Sequence, residues 1–98
     1  MTKVGFIYMV ACHDHVKIGY ATSMRDRLST MQVGNPYPIR HLNTFKTDDM
    51  EGTERRLHDR FWAYRARGEW FKMPSRLIAR LAALETIDGL RVERRCQL

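Results

Sequence analysis

The fold is decided by residues 4–20, which read VGFIYMVACHDHVKIGY. Residues 4–11 are almost continuously apolar, a pattern typical of a strand that is buried on both faces. Residues 12–15 are polar and predict a turn, and residues 16–20 alternate as in a second strand. The stretch therefore predicts an antiparallel hairpin.

The register of this hairpin follows from the length of its turn. A turn over residues 12–15 sets Tyr8 directly opposite Gly19. Because side chains alternate along a strand, Tyr8, Lys17 and Gly19 would then share one face of the sheet. The missing side chain of Gly19 would leave space above the sheet for a phenol or a phosphate. A turn one residue longer or shorter would destroy this alignment.

The rest of the sequence predicts three helices, one further strand and a short extended segment. They cover about residues 24–32, 50–65 and 75–86 for the helices, 39–46 for the strand and 69–72 for the extended segment. Ser23 precedes the first helix as an N-cap, and Asp48 or Asp49 precedes the second. Leu28 and Met31 are expected to pack inward from the first helix. The chain beyond residue 88 is expected to add a weak strand or to fray.

The composition limits the classes of function that the chain can have. The chain has 98 residues, with 17 Lys and Arg against 11 Asp and Glu, a net charge of +6 and a pI near 9.8. Because a guanidinium binds phosphate in a bidentate fork, this Arg-rich excess favours nucleic acid or another polyanion as partner. Residues 4–11 are too few to span a membrane. Cys12 and Cys96 give no disulfide framework, so a reducing, cytoplasmic compartment is expected.

One helix carries a carboxylate where an apolar residue is expected. Met50, Leu57 and Phe61 form a core-facing stripe on the longest predicted helix. Glu54 and His58 fall on the same stripe, one helical turn apart, so they are able to touch. A carboxylate on an apolar face costs free energy unless something pairs with it. Either a bound metal ion or a neighbouring arginine would satisfy Glu54.

Five short motifs occur in a fixed order along the chain. They are Ile7-Tyr8, Lys17-Ile18-Gly19, Arg27-Leu28, Glu54-Arg55-Arg56-Leu57-His58 and Glu69-Trp70-Phe71. This ordered set resembles the GIY-YIG nuclease superfamily, and within it the compact phage-type DNA-binding branch that carries the name of a meiotically up-regulated gene. The resemblance covers about residues 5–72.

The resemblance implies a fold and an activity. The implied fold is α+β, a small three-stranded antiparallel sheet flanked by helices. It matches the elements read from the residues, and we expect a single domain over residues 1–98. The motif core covers about residues 4–73, and a last helix and basic tail cover residues 74–98. The implied activity is hydrolysis of DNA phosphodiester bonds with one divalent ion, Mg²⁺ or Mn²⁺.

The resemblance also assigns residues. Tyr8 matches the tyrosine of the first motif, Lys17 stands at the tyrosine position of the second, and Arg27 and Glu54 match the helix arginine and the metal-binding glutamate. Tyr8 would serve as general base or orient the attacking water, with Lys17 as its cationic neighbour. Arg27 would bind the scissile phosphate, and His58 would move a proton or orient Glu54.

Each assignment has a structural alternative. The alternatives are a core residue for Tyr8, a surface lysine for Lys17, an exposed helix charge for Arg27 and a hydrogen-bonded, half-buried side chain for His58. Relatives carry a longer gap between the first two motifs and a late asparagine that this sequence lacks. These departures favour a non-catalytic DNA-binding module on the same fold. A phage-encoded protein-interaction domain that uses the fold is the third alternative.

A set of arginines is expected to bind the nucleic-acid backbone. Its members are Arg25, Arg55, Arg56, Arg60, Arg65 and Arg67, the last five on one predicted helix. Such a track would give salt-dependent affinity that is blind to sequence. DNA is the expected partner, and a homodimer is left open. Trp70 and Phe71 are expected to pack in the interior, and Glu69 is expected to cap or to pair with an arginine.

Overall fold

A computed structural model describes residues 4–86 and shows a mixed α/β domain. The strands are β1 Gly5–Cys12, β2 His15–Ala21, β3 Arg40–Thr47, β4 Arg65–Arg67 and β5 Trp70–Lys72. The helices are α1 Met24–Val33, α2 Met50–Arg60 and α3 Ser75–Ala83, with a 3₁₀ turn at Trp62–Tyr64. The five strands form one antiparallel sheet in the order β3-β1-β2-β5-β4.

The central hairpin has the predicted register. Strands β1 and β2 pair so that Tyr8 lies opposite Gly19 and Cys12 lies opposite His15. The turn between them places His13 in the left-handed region, at φ 57°. Tyr8 and Gly19 therefore share one face of the sheet with Lys17, as the alternation of side chains requires.

The sheet has five strands where the sequence predicted three. Strand β5 extends β2 through pairs such as Val16 with Phe71, and β4 adds to β5 as an edge strand. The second helix was predicted to reach residue 65, but α2 ends at Arg60 and releases Arg65–Arg67 to pair. Arg and Ala favour a helix locally, but the turn at Gly68, with φ +58°, folds this segment back onto β5.

One face of the sheet carries the core. Residues of β1 and β2 such as Ile7, Met9 and Ile18 are fully buried there against α2 and α3. The predicted stripe of α2 is confirmed, because Met50, Leu57 and Phe61 are all buried in this cluster. Helix α3 is tied to β3 by Asn43, whose Nδ2 donates to Leu81 O at 3.0 Å and to Leu84 O at 2.7 Å.

The opposite face holds Tyr8 under a lightly packed α1. Leu28 and Met31 were predicted to pack inward, but both are only half-buried, and α1 contributes no buried residue. Ser23 stands at the N-cap but makes no capping hydrogen bond through its side chain. Few apolar contacts therefore hold helix α1 over the sheet. Arg27 adds a polar contact, to Tyr8.

The third helix is shorter than predicted, ending at Ala83 and not at residue 86. The segment from residue 88 onward lies outside the described residues. Among residues 4–86, none of the helices has the length and the apolar run needed to cross a bilayer.

Candidate active site

Two of the predicted catalytic residues, Arg27 and Glu54, line one cavity of about 600 Å³ beside α1 and the end of β2. Tyr8, Lys17 and His58 do not line it. Its lining combines residues from β2, α1, α2 and the turn before β5. They are Tyr20, Ala21, Thr22, Ser23, Asp26, Arg27, Thr30, Glu54 and Glu69. The cavity therefore brings together the guanidinium of Arg27 and three carboxylates, of which Glu54 and Glu69 are distant from it in sequence.

Tyr8 and Gly19 are a matched pair beneath α1. Tyr8 is fully buried. A Cβ atom built on Gly19 would lie 2.6 Å from Tyr8 Cζ and would overlap the phenolic oxygen. Only glycine fits opposite this phenol, so the two residues act as one steric unit.

Arg27 is the cation that contacts the Tyr8 phenol. Arg27 Nε donates a hydrogen bond to Tyr8 Oη at 3.2 Å, and the guanidinium carbon lies 5.9 Å from the ring centroid. Burial raises the pKa of Tyr8, and the hydrogen bond and charge of Arg27 oppose that shift without cancelling it. The sequence assigned this role to Lys17. The structure assigns the contact to Arg27.

Lys17 has a different partner. Lys17 Nζ lies 3.7 Å from Glu69 Oε1 and 6.0 Å from the centroid of the Trp70 ring. The pairing follows from the sheet, because Lys17 lies opposite Trp70 across β2 and β5. The lysine therefore holds Glu69 at the cavity.

Glu54 is an incompletely satisfied carboxylate. Its side chain is half-buried, and its Oε2 atom is inaccessible to solvent and has no hydrogen-bond partner within residues 4–86. Burial raises the pKa of Glu54, the charge of Glu69 and a hydrogen bond with its side chain raise the pKa further, and the nearby His58 lowers it. An ionised Glu54 in this setting calls for a cation.

This placement predicts an unusual effect on stability. Because burial raises the pKa of Glu54, its ionisation destabilises the fold as pH rises through the folded-state pKa. Below the ordinary value of 4.5 the wild type carries the proton in both states and resembles glutamine. Glu54→Gln should therefore raise the Tm at pH 7 in EDTA, and the gain should disappear below pH 4.5. Thermal denaturation followed by circular dichroism across this range measures it; a lower Tm at pH 7 would contradict it.

His58 ties α2 to the part of β2 that extends beyond its pairing with β5. Strand β2 pairs with β5 only as far as Lys17. The next residue, Ile18, donates its N–H to Glu69 O at 3.3 Å, and its carbonyl accepts a hydrogen bond from His58 Nε2 at 2.8 Å. Ile18 therefore positions both carboxylates. Its N–H holds the backbone of Glu69, and its carbonyl holds His58 and with it the helix that carries Glu54. His58 is half-buried and hydrogen-bonded, as its structural alternative predicted.

Glu69 was assigned only a structural role from the sequence. It was expected to cap or to pair with an arginine, but it pairs with Lys17 and lines the cavity with Glu54. The sequence carries one signal for this position, because Gly68 indicates a turn directly before Glu69. In the structure Gly68 has a positive φ and turns the chain between β4 and β5.

The match to a known family supports a role with nucleic acid. Residues 5–94 match the T5orf172 domain, a phage-associated domain found in GIY-YIG-like and HNH-like nuclease contexts. The chain belongs to the T5orf172 domain family. No curated protein and no solved structure matches it. Membership makes a nuclease or DNA-binding role plausible, and the narrower GIY-YIG assignment stays a prediction.

This T5orf172 domain offers a divided basic surface. Arg25 lies on α1, Arg55, Arg56 and Arg60 lie on α2, and Arg65 and Arg67 lie on β4. The prediction of one basic helix is therefore wrong for the last two, because α2 ends before them. All six are exposed except Arg60, which is half-buried.

The donor set of the T5orf172 domain suits a hard cation with few protein ligands. Within residues 4–86 no three His, Cys, Asp or Glu side chains converge on one point. Glu54 and Glu69 nevertheless line one cavity and repel each other, and one oxygen of Glu54 is buried without a partner. Mg²⁺ binds proteins through one or two carboxylates while keeping several waters, so these residues fit Mg²⁺ or Mn²⁺.

Proposed function

We propose that this T5orf172 domain is a metal-dependent endonuclease that hydrolyses DNA phosphodiester bonds through a GIY-YIG-type site. One observation carries the proposal. The half-buried carboxylate of Glu54 shares a cavity with Glu69 and with Arg27, which is bonded to the buried phenol of Tyr8. A cation site beside an anion-binding group is what cleavage of a phosphodiester requires.

Arg27 binds the scissile phosphate in this proposal. Its Nε–H is donated to Tyr8, which leaves the two Nη groups of the guanidinium for phosphate oxygens. The bond to Tyr8 also fixes the plane of the guanidinium. A guanidinium held in this way stabilises negative charge that develops on the phosphate.

Tyr8 holds Arg27 in place in this proposal. Its raised pKa keeps the phenol protonated at neutral pH, which disfavours a tyrosinate acting as general base. The phenolic oxygen accepts from Arg27, and because Tyr8 is fully buried and does not line the cavity, its contribution in this proposal is to hold the guanidinium. Gly19 leaves the space in which the phenol stands.

Glu54 and Glu69 would hold Mg²⁺ or Mn²⁺, with Lys17 fixing the Glu69 carboxylate. A divalent ion bound there would polarise the phosphate and lower the pKa of a bound water. His58 is a positioning residue, because its bond to Ile18 sets the place of α2 and hence of Glu54.

The proposal is tested by incubating purified protein with plasmid and with single-stranded DNA in Mg²⁺, in Mn²⁺ and in EDTA. We expect cleavage in either metal and none in EDTA, with binding to DNA retained in EDTA. Glu54→Gln, purified in the same way, controls for a contaminating nuclease. Binding without cleavage in any metal would favour the DNA-binding module, which the lack of a third convergent ligand within residues 4–86 also supports. Neither binding nor cleavage would contradict both functions.

A further inference from the structure

An exposed tryptophan lies outside the catalytic cavity and has no part in the mechanism above. Trp62 follows α2 in the short 3₁₀ turn, and 59% of its surface is exposed. The guanidinium carbon of Arg65 lies 4.6 Å from the centroid of its ring. The exposed ring and the planar cation beside it offer two flat groups to a ligand at one point of the surface.

Trp62 is followed along the chain by two exposed arginines and then by Glu69. Strand β4 is at the edge of the sheet, and each of its three residues is exposed, including Arg65 and Arg67. Two residues beyond Arg67, the chain reaches Glu69 in the cavity lining. The order along the chain is therefore an aromatic ring, two guanidinium groups and the proposed metal site.

We propose that Trp62, together with Arg65, is a stacking site for an unpaired base of single-stranded nucleic acid. The inference rests on the proposed function, since it takes nucleic acid as the substrate. Unpaired bases stack on aromatic rings and on arginine planes, while a duplex has already stacked its bases internally. Charge favours nucleic acid as the partner, because the exposed guanidinium groups of Arg65 and Arg67 lie on the strand that follows the ring.

The site would make the enzyme select single strands or unpaired ends. Arg65 and Arg67 would contact phosphates, which carry no base information, and Trp62 would contact a base. Stacking is tolerant of sequence because every base has a π face. The expected preference is therefore for strandedness and not for a particular sequence.

The test compares two single strands that differ only in their bases. Binding is measured in EDTA by fluorescence anisotropy, with an oligothymidylate of about 12 nucleotides and an abasic strand of equal length. We expect the wild type to bind the base-bearing strand roughly fivefold or more tightly than the abasic strand. Trp62→Ala should lose this preference and keep the abasic affinity, whereas Trp62→Phe should retain most of it.

Tyr37→Ala is the matched control, because Tyr37 is also an exposed aromatic residue, at 54%, but does not lie on β4 or its flanks. It should keep the wild-type preference. If Trp62→Ala keeps the preference, or weakens both strands equally, the stacking site is wrong while the proposed nuclease stands. If Trp62→Ala abolishes self-association and leaves DNA binding unchanged, the surface binds protein and the inference is overturned. If the wild type binds neither strand, the stacking site is wrong, and the plasmid assay decides the proposed function separately.

Discussion

Glu54→Gln is expected to reduce DNA cleavage by about a thousandfold while leaving DNA binding in EDTA nearly unchanged. Glutamine has the same shape, but it removes the charge that would hold a divalent cation in the cavity. The loss corresponds to several kcal/mol of transition-state stabilisation, which is the size expected for charge neutralisation by a bound metal ion. Single-turnover cleavage in saturating Mn²⁺ measures it.

The matched control is Glu51→Gln, on the same helix. Glu51 lies in the first turn of α2 and is exposed, so it loses the same charge without touching the cavity. We expect Glu51→Gln to cleave at close to the wild-type rate. Equal losses in the two variants would show that the net charge of α2, and not the carboxylate of Glu54, supports cleavage.

A second readout separates metal binding from activity. Mn²⁺ should raise the Tm of the wild type by binding the folded state, and it should raise the Tm of Glu54→Gln much less. Glu69→Gln should show an intermediate effect, because it removes the second carboxylate of the cavity. An equal rise in all three proteins would place the metal elsewhere.

The sequence predicts the centre of this fold better than its edge. The pairing of Tyr8 with Gly19 is predictable because a short turn and an alternating strand allow one register only. Strand β4 is not predictable in this way. Arg65 and Arg67 favour a helix locally, and only their pairing with a strand that comes later in the chain decides otherwise.

The residue types of the site are also easier to predict than their partners. Glu54 is identifiable because a carboxylate interrupts an apolar stripe. That Lys17 pairs with Glu69, and Arg27 with Tyr8, depends on where β5 and α1 lie across the sheet. Long flexible side chains reach several neighbours, so their pairing follows from tertiary packing and not from spacing along the chain.

Arg27→Lys is expected to reduce cleavage by about a hundredfold or more, even though the positive charge is kept. Lysine cannot donate to Tyr8 and bind a phosphate in a fixed plane at the same time, as the guanidinium does. Binding should fall only slightly, because one phosphate contact among several is altered. Cleavage rates at saturating DNA measure the catalytic loss separately from binding.

Arg25→Lys provides the control, since Arg25 lies two residues earlier on α1 and is also exposed. It is expected to cleave at nearly the wild-type rate, and a loss as large as that of Arg27→Lys would show that α1 contributes only general charge.

The hydrogen bond between Arg27 and Tyr8 leads to a further prediction, for the double variant. If the two side chains act as one unit, Tyr8→Phe combined with Arg27→Lys should cost little more than the worse single variant. Fully additive losses would mean that the phenol and the guanidinium act independently, and the hydrogen bond between them would then have no part in cleavage.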